Sequence, residues 1–188
     1  MSSGKTMLQG ALRFTVVSLI GYAMWAFTRM GEAPLYASIT VVFIALSGWL
    51  LRPLVGPDRR LGSFYGVFAT AFLAYAALWC VGWFVIKGHA GEIFGSAAGL
   101  AACAWILLRA AGKSSQTKSF LPCWAVLFLC HTLGYVAGGW VYYNASSIDS
   151  IPPALARLSW GLGHGIGFGA GLGYVLYHCR NSSDRADG

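Results

Sequence analysis

Apolar residues run in long, nearly continuous stretches from Phe14 to Cys179, broken at intervals by short polar segments. Lipid admits only helices and closed barrels, and runs this continuous read as helices. Six spans follow, at roughly 12–29, 35–55, 63–86, 92–110, 120–143 and 155–178. The first, second and fourth are short, and their flanking arginines can snorkel to the interface to complete them. The polar breaks punctuate the pattern. Arg52-Pro53 through Gly62 predicts a turn, Gly112 to Lys118 a polar loop, and Asn144 to Pro153 a second loop whose prolines open the sixth helix. The tail from Asn181 is polar and is expected to be disordered. The expected fold is all-α: a polytopic membrane protein of six transmembrane helices, forming one integral membrane domain over residues 1–188.

Composition leaves no room for a soluble domain, since 57% of the 188 residues are hydrophobic and 10% are charged. The net charge of +7 does not point to nucleic acid, because the basic residues sit between apolar segments. Lys or Arg at positions 5, 13, 52, 59, 60, 109, 113, 118, 180 and 185 falls on one side of the six-span layout, against Arg29, Lys87 and Arg157 on the other. This bias places both termini in the cytoplasm, at the plasma (inner) membrane if the source is bacterial. Lys5 and Arg13 before an apolar run resemble a signal peptide. No small-x-small site follows Phe27, so an uncleaved signal-anchor is expected. The five cysteines are odd in number, lie mostly within spans and form no CxxC, which predicts structural thiols.

Aromatic residues crowd the outer ends of the odd-numbered spans: Trp25 and Phe27, Trp83 and Phe84, then Trp140, Tyr142 and Tyr143. They predict an interfacial belt. Gly31-Glu32 and Gly91-Glu92 open the second and fourth spans, which close on Trp49-Leu-Leu-Arg52 and Trp105-Ile-Leu-Leu-Arg109, an echo of repeated helical hairpins. Both glutamates are expected at helix N-termini, where the dipole favours a carboxylate. His89 and His178 are expected to be solvated, and Arg157 to snorkel to headgroups or to meet an anionic ligand or Glu92.

Candidate chemistry concentrates in the last two spans. His131-Thr-Leu-Gly134-Tyr135-Val-Ala137-Gly138 and His164-Gly-Ile-Gly167-Phe168-Gly-Ala170-Gly171 share the pattern His-x-x-Gly-aromatic-x-Ala-Gly. Positions i, i+3, i+4 and i+7 lie on one helix face, so each histidine shares a stripe with two glycines and a ring. The glycines would admit another backbone or a flat ligand. The sixth span also carries glycine at every second position from 161 to 173. These split into two ridges on roughly opposite sides, Gly161, Gly165, Gly169 and Gly173 against Gly163, Gly167 and Gly171. That is the pattern of a glycine zipper, thin on both sides, and predicts a central sixth helix.

The two histidines fall at similar depth on antiparallel neighbours, so their imidazoles are expected to meet near mid-membrane. A non-catalytic module or subunit, handling a small solute, proton or partner helix around His131 and His164, is the first function these features point to. Tyr135, Gly134, Gly138, Gly167 and Gly171 would complete that site. A b-type haem electron carrier with the two histidines as axial ligands is the alternative, since neutral imidazole ligates iron and glycines leave space for a macrocycle. A metal site would need a third ligand that the sequence does not supply; Ser96, Thr132, Tyr135 and Glu92 are the other polar candidates. A buried histidine can also simply bond a hydroxyl or carbonyl on the next helix. The expected partners are the lipid bilayer and other membrane subunits or further copies of the chain, with no nucleic acid.

His164-x-x-Gly167-x-x-x-Gly171 resembles the last-helix motif of the rhomboid intramembrane serine proteases, which have six core helices and a nucleophile at the start of the fourth. The resemblance would make Ser96, in Gly95-Ser96-Ala97-Ala98-Gly99, the nucleophile and His164 its base. It covers about eight residues. Phe94 and Ala97 stand where the family's glycines belong, and the second-span histidine and asparagine and the long first loop are missing.

Overall fold

Ser2 begins the first helix as its cap: the side-chain hydroxyl accepts from the Lys5 amide and the carbonyl accepts from the Thr6 hydroxyl. In the computed structural model this helix, α1, spans Ser3–Phe27, starting a full two turns before the apolar run does. The structure describes residues 1–56, 60–112, 117–145 and 151–180. Arg59, Lys113 and Arg185 of the charge pattern, most of the polar loops, and the tail after Arg180 lie outside them, as does the Lys118 side chain.

The remaining helices follow the apolar runs closely. Gly31 precedes α2 (Glu32–Leu51), whose end tightens into a 3₁₀ turn, Arg52–Leu54, at Pro53. Next comes α3 (Leu61–Val81), which widens into a π turn at Gly82–Ile86. Lys87 then takes φ 63°, a left-handed value rare outside glycine, and reverses the chain into α4 (Gly88–Ala110). The last two helices are α5 (Thr117–Asn144) and α6 (Pro153–His178), the latter entered through Pro152 and Pro153. Because α4 starts at Gly88, Glu92 falls on its second turn and not at the N-terminus, where only Glu32 of the two glutamates sits.

The described chain is all helical, and five helices, α1 to α5, are long and apolar enough to cross a membrane. α6, with 26 residues, is long enough but not apolar enough. Its glycines supply backbone without hydrocarbon, so its length carries less hydropathy than that of its neighbours.

Glycine sets how close the helices come. α6 makes its broadest contacts with α1 on one side and α5 on the other. A β-carbon on Gly10 of α1 would meet the Gly169 carbonyl and stand 2.9 Å from the Gly173 Cα. One on Gly134 of α5 would meet the Gly163 carbonyl and stand 2.9 Å from the Gly167 Cα. The same geometry recurs between α3 and α4, where a β-carbon on Gly82 would meet the Gly91 carbonyl and lie 2.8 Å from the Gly95 Cα. Side chains of zero volume thus put backbone against backbone at three antiparallel crossings. Around them Phe14, Phe68, Leu100, Leu127, Phe168 and Leu172 are fully buried. Polar ties join other helices: Arg13 donates to the Leu50 carbonyl at 2.7 Å, Tyr65 to Ala45 at 2.6 Å, and Trp124 to Ala97 at 3.0 Å.

Candidate functional site

Both candidate histidines, His131 on α5 and His164 on α6, are buried, at 0% and 7% exposure. Their rings approach edge-on, with centroids 5.3 Å apart, but among the described residues no hydrogen bond joins them. The expected pair is instead two separately anchored imidazoles. His131 Nε2 bonds the Tyr75 hydroxyl of α3 at 2.9 Å, and its Nδ1 is buried without a partner. His164 Nδ1 lies 3.3 Å from the Ser18 hydroxyl of α1. Ser18 was not a candidate in the sequence. Its only mark there is a hydroxyl in an apolar run.

The four signature glycines are occupied by helix contact. A β-carbon on Gly134 or Gly167 would strike the facing backbone, one on Gly138 would meet Trp160, and one on Gly171 would meet Leu127. Phe168 packs 5.2 Å from the His131 ring and 5.5 Å from the His164 ring. A haem held between the two histidines needs its macrocycle to separate them, with a ring nitrogen of each on the iron. Here the rings touch, and Phe168 fills the adjoining space. The residues present do not fit an axial pair.

Ser96 is buried on α4, a helix that barely touches α6. The hydroxyl beside His164 is that of Ser18, and among the described residues no hydrogen bond links His164 to Ser96. Among those residues no three His, Cys, Asp or Glu side chains cluster as a metal site. Among the described residues the five cysteines form no disulfide. Among the described residues Arg157 forms no ion pair with Glu92: its guanidinium sits 4.9 Å over the Trp25 ring and donates to the Trp25 carbonyl at 3.1 Å.

Beside His164 lies a cavity of about 390 Å³. It is walled by the C-terminal halves of α1, α3 and α5 and the N-terminal halves of α2 and α6, which gather at one end of the bundle. Its lining is aromatic, with Tyr22, Tyr36, Phe43, Trp79, Tyr135 and Trp160 prominent, and among the described residues it contains no Asp, Glu, Lys or Arg. His164 and Tyr135 line it; His131 and the four signature glycines do not. Tyr135 stacks on His131, 5.7 Å between centroids, and packs 5.1 Å from Trp160. The supposed aromatic belt divides. Trp25, Trp83, Tyr142 and Tyr143 line the cavity, whereas Phe27, Phe84 and Trp140 face outward.

A bundle of apolar helices around one aromatic cavity defines the molecule at the level of class, that of a helical protein suited to a membrane. No family model, curated protein or solved structure matches the chain.

Proposed function

We propose that the chain is a six-span integral membrane protein with both termini cytoplasmic and α6 as its central span. It is a non-catalytic module that binds a small, uncharged, largely apolar molecule in the aromatic cavity. The observation that carries this is the cavity itself. Its size lies within the range of small-molecule sites, and its walls are aromatic with few polar groups. An anion would find no basic side chain among the described residues of the lining. A cation would find aromatic faces, but Arg157 already covers Trp25 and brings positive charge to the rim. A neutral ring compound meets neither objection. α6 holds its place by its glycine ridges, in the manner of a glycine zipper, so its modest hydropathy is compatible with a span shielded by α1 and α5.

The test is saturable binding of 2-methoxynaphthalene, a neutral apolar probe, to the protein in lipid nanodiscs. Ala76 lines the cavity, and Ala76→Trp should fill it. Binding is expected to saturate in the natural protein and to fall at least about tenfold in Ala76→Trp. Binding that only follows lipid partitioning, equal in both proteins, would overturn the proposal.

A further inference from the structure

We infer that His164 Nε2 is a hydrogen-bond acceptor at the cavity floor, and that the ligand class is a neutral ring compound bearing a hydroxyl or N–H donor. This rests on the binding role proposed above. The inference comes from one hydrogen atom. Ser18 has a single hydroxyl hydrogen and two acceptors near it, the Gly161 carbonyl at 2.8 Å and His164 Nδ1 at 3.3 Å. The hydrogen goes to the closer carbonyl. The Ser18 oxygen then accepts, and Nδ1 must be the nitrogen that donates.

Among the described residues no acidic side chain pairs with the ring; the rings packed on it include Phe14, Tyr22, Phe43 and the second imidazole, His131. A buried imidazolium would be unpaired there. The ring is therefore neutral, protonated at Nδ1, with a bare lone pair on Nε2. Among the described residues Nε2 has no hydrogen-bond partner, and His164, more than nine-tenths buried, lines the cavity. Lining rings from Tyr22, Phe43 and Tyr135 stand about it, with centroids 5.9, 6.1 and 6.3 Å from its own. They would hold a flat apolar body while the lone pair takes one donor. Ser18 is a positioning residue: it fixes which nitrogen faces the ligand.

The experiment compares 2-naphthol with 2-methoxynaphthalene, which differ by the donor hydrogen and one methyl group, on protein in nanodiscs. The ratio of their affinities is read, so general changes in the cavity cancel. Naphthol is expected to bind about tenfold tighter, the worth of one net hydrogen bond near the top of its usual range. The ratio should fall to near one in His164→Phe and drop at least about threefold in Ser18→Ala, where the tautomer is released. Both probes saturating with equal affinity in the natural protein, or a preference that survives His164→Phe, would overturn the inference and leave the cavity as a binding site. Neither probe saturating would overturn both. Nitrogen NMR of histidine-labelled protein needs no variant: Nε2 of His164 should resonate as an unprotonated nitrogen, and a protonated one refutes the assignment.

Discussion

His131 is fully buried and keeps a single hydrogen bond, to the Tyr75 hydroxyl. Removing that hydroxyl in Tyr75→Phe leaves the whole imidazole unsatisfied. The expected cost is about 1 kcal/mol, between the small average for bonds inside membranes and the larger penalty for a stranded buried group. Reversible unfolding in mixed micelles measures it, and an unchanged stability would mean that His131 finds another partner. At this scale the sequence was informative about which histidines are buried, because an imidazole in the middle of an apolar run has nowhere else to go. It did not reveal their partners. Tyr75 and Ser18 sit 56 and 146 residues away from the histidines they meet, and no spacing rule relates residues on different helices.

Between α5 and α6 the contact is backbone on backbone. Gly134→Ala places a methyl group against the Gly163 carbonyl and the Gly167 Cα, neither of which can rotate away. A loss of about 1–3 kcal/mol is expected, as for other overpacked contacts. Gly66 of α3 is the internal comparison, because a β-carbon there meets nothing within 4 Å. Gly66→Ala should gain up to about 1 kcal/mol from the stiffer helix. Equal effects of the two substitutions, in the same unfolding assay, would remove the role assigned to the crossing. The alternate glycines of α6 were legible as two ridges because helical geometry converts a two-residue spacing into two faces. Their use was not: the same spacing serves a flat ligand or a facing helix, and only the position of α5 decides.

For the whole molecule, the alternation of short connections and apolar helices places the starts of α1, α3 and α5 at one end of the bundle. The basic residues favour that end as the cytoplasmic one. In a cysteine-free background, Gly4→Cys should be protected from a membrane-impermeant thiol reagent in intact cells and His89→Cys should be labelled. The reverse pattern would invert the proposed topology. Five of the helices were legible because each holds a long apolar run. The cavity was invisible for the opposite reason. Its wall is assembled from five helices, and Trp25, Trp83, Tyr142 and Tyr143 have the same composition and position as residues that anchor to lipid headgroups.

Four of the protein's eight tryptophans, Trp25, Trp79, Trp83 and Trp160, border that single cavity. Trp79 and Trp83 stack there at 5.3 Å and 14°. Indole emission responds to the polarity and the quenchers beside the ring, and half of the molecule's indoles stand in the walls of one chamber. Occupancy of that chamber is therefore written into the protein's own fluorescence, without any dye or label.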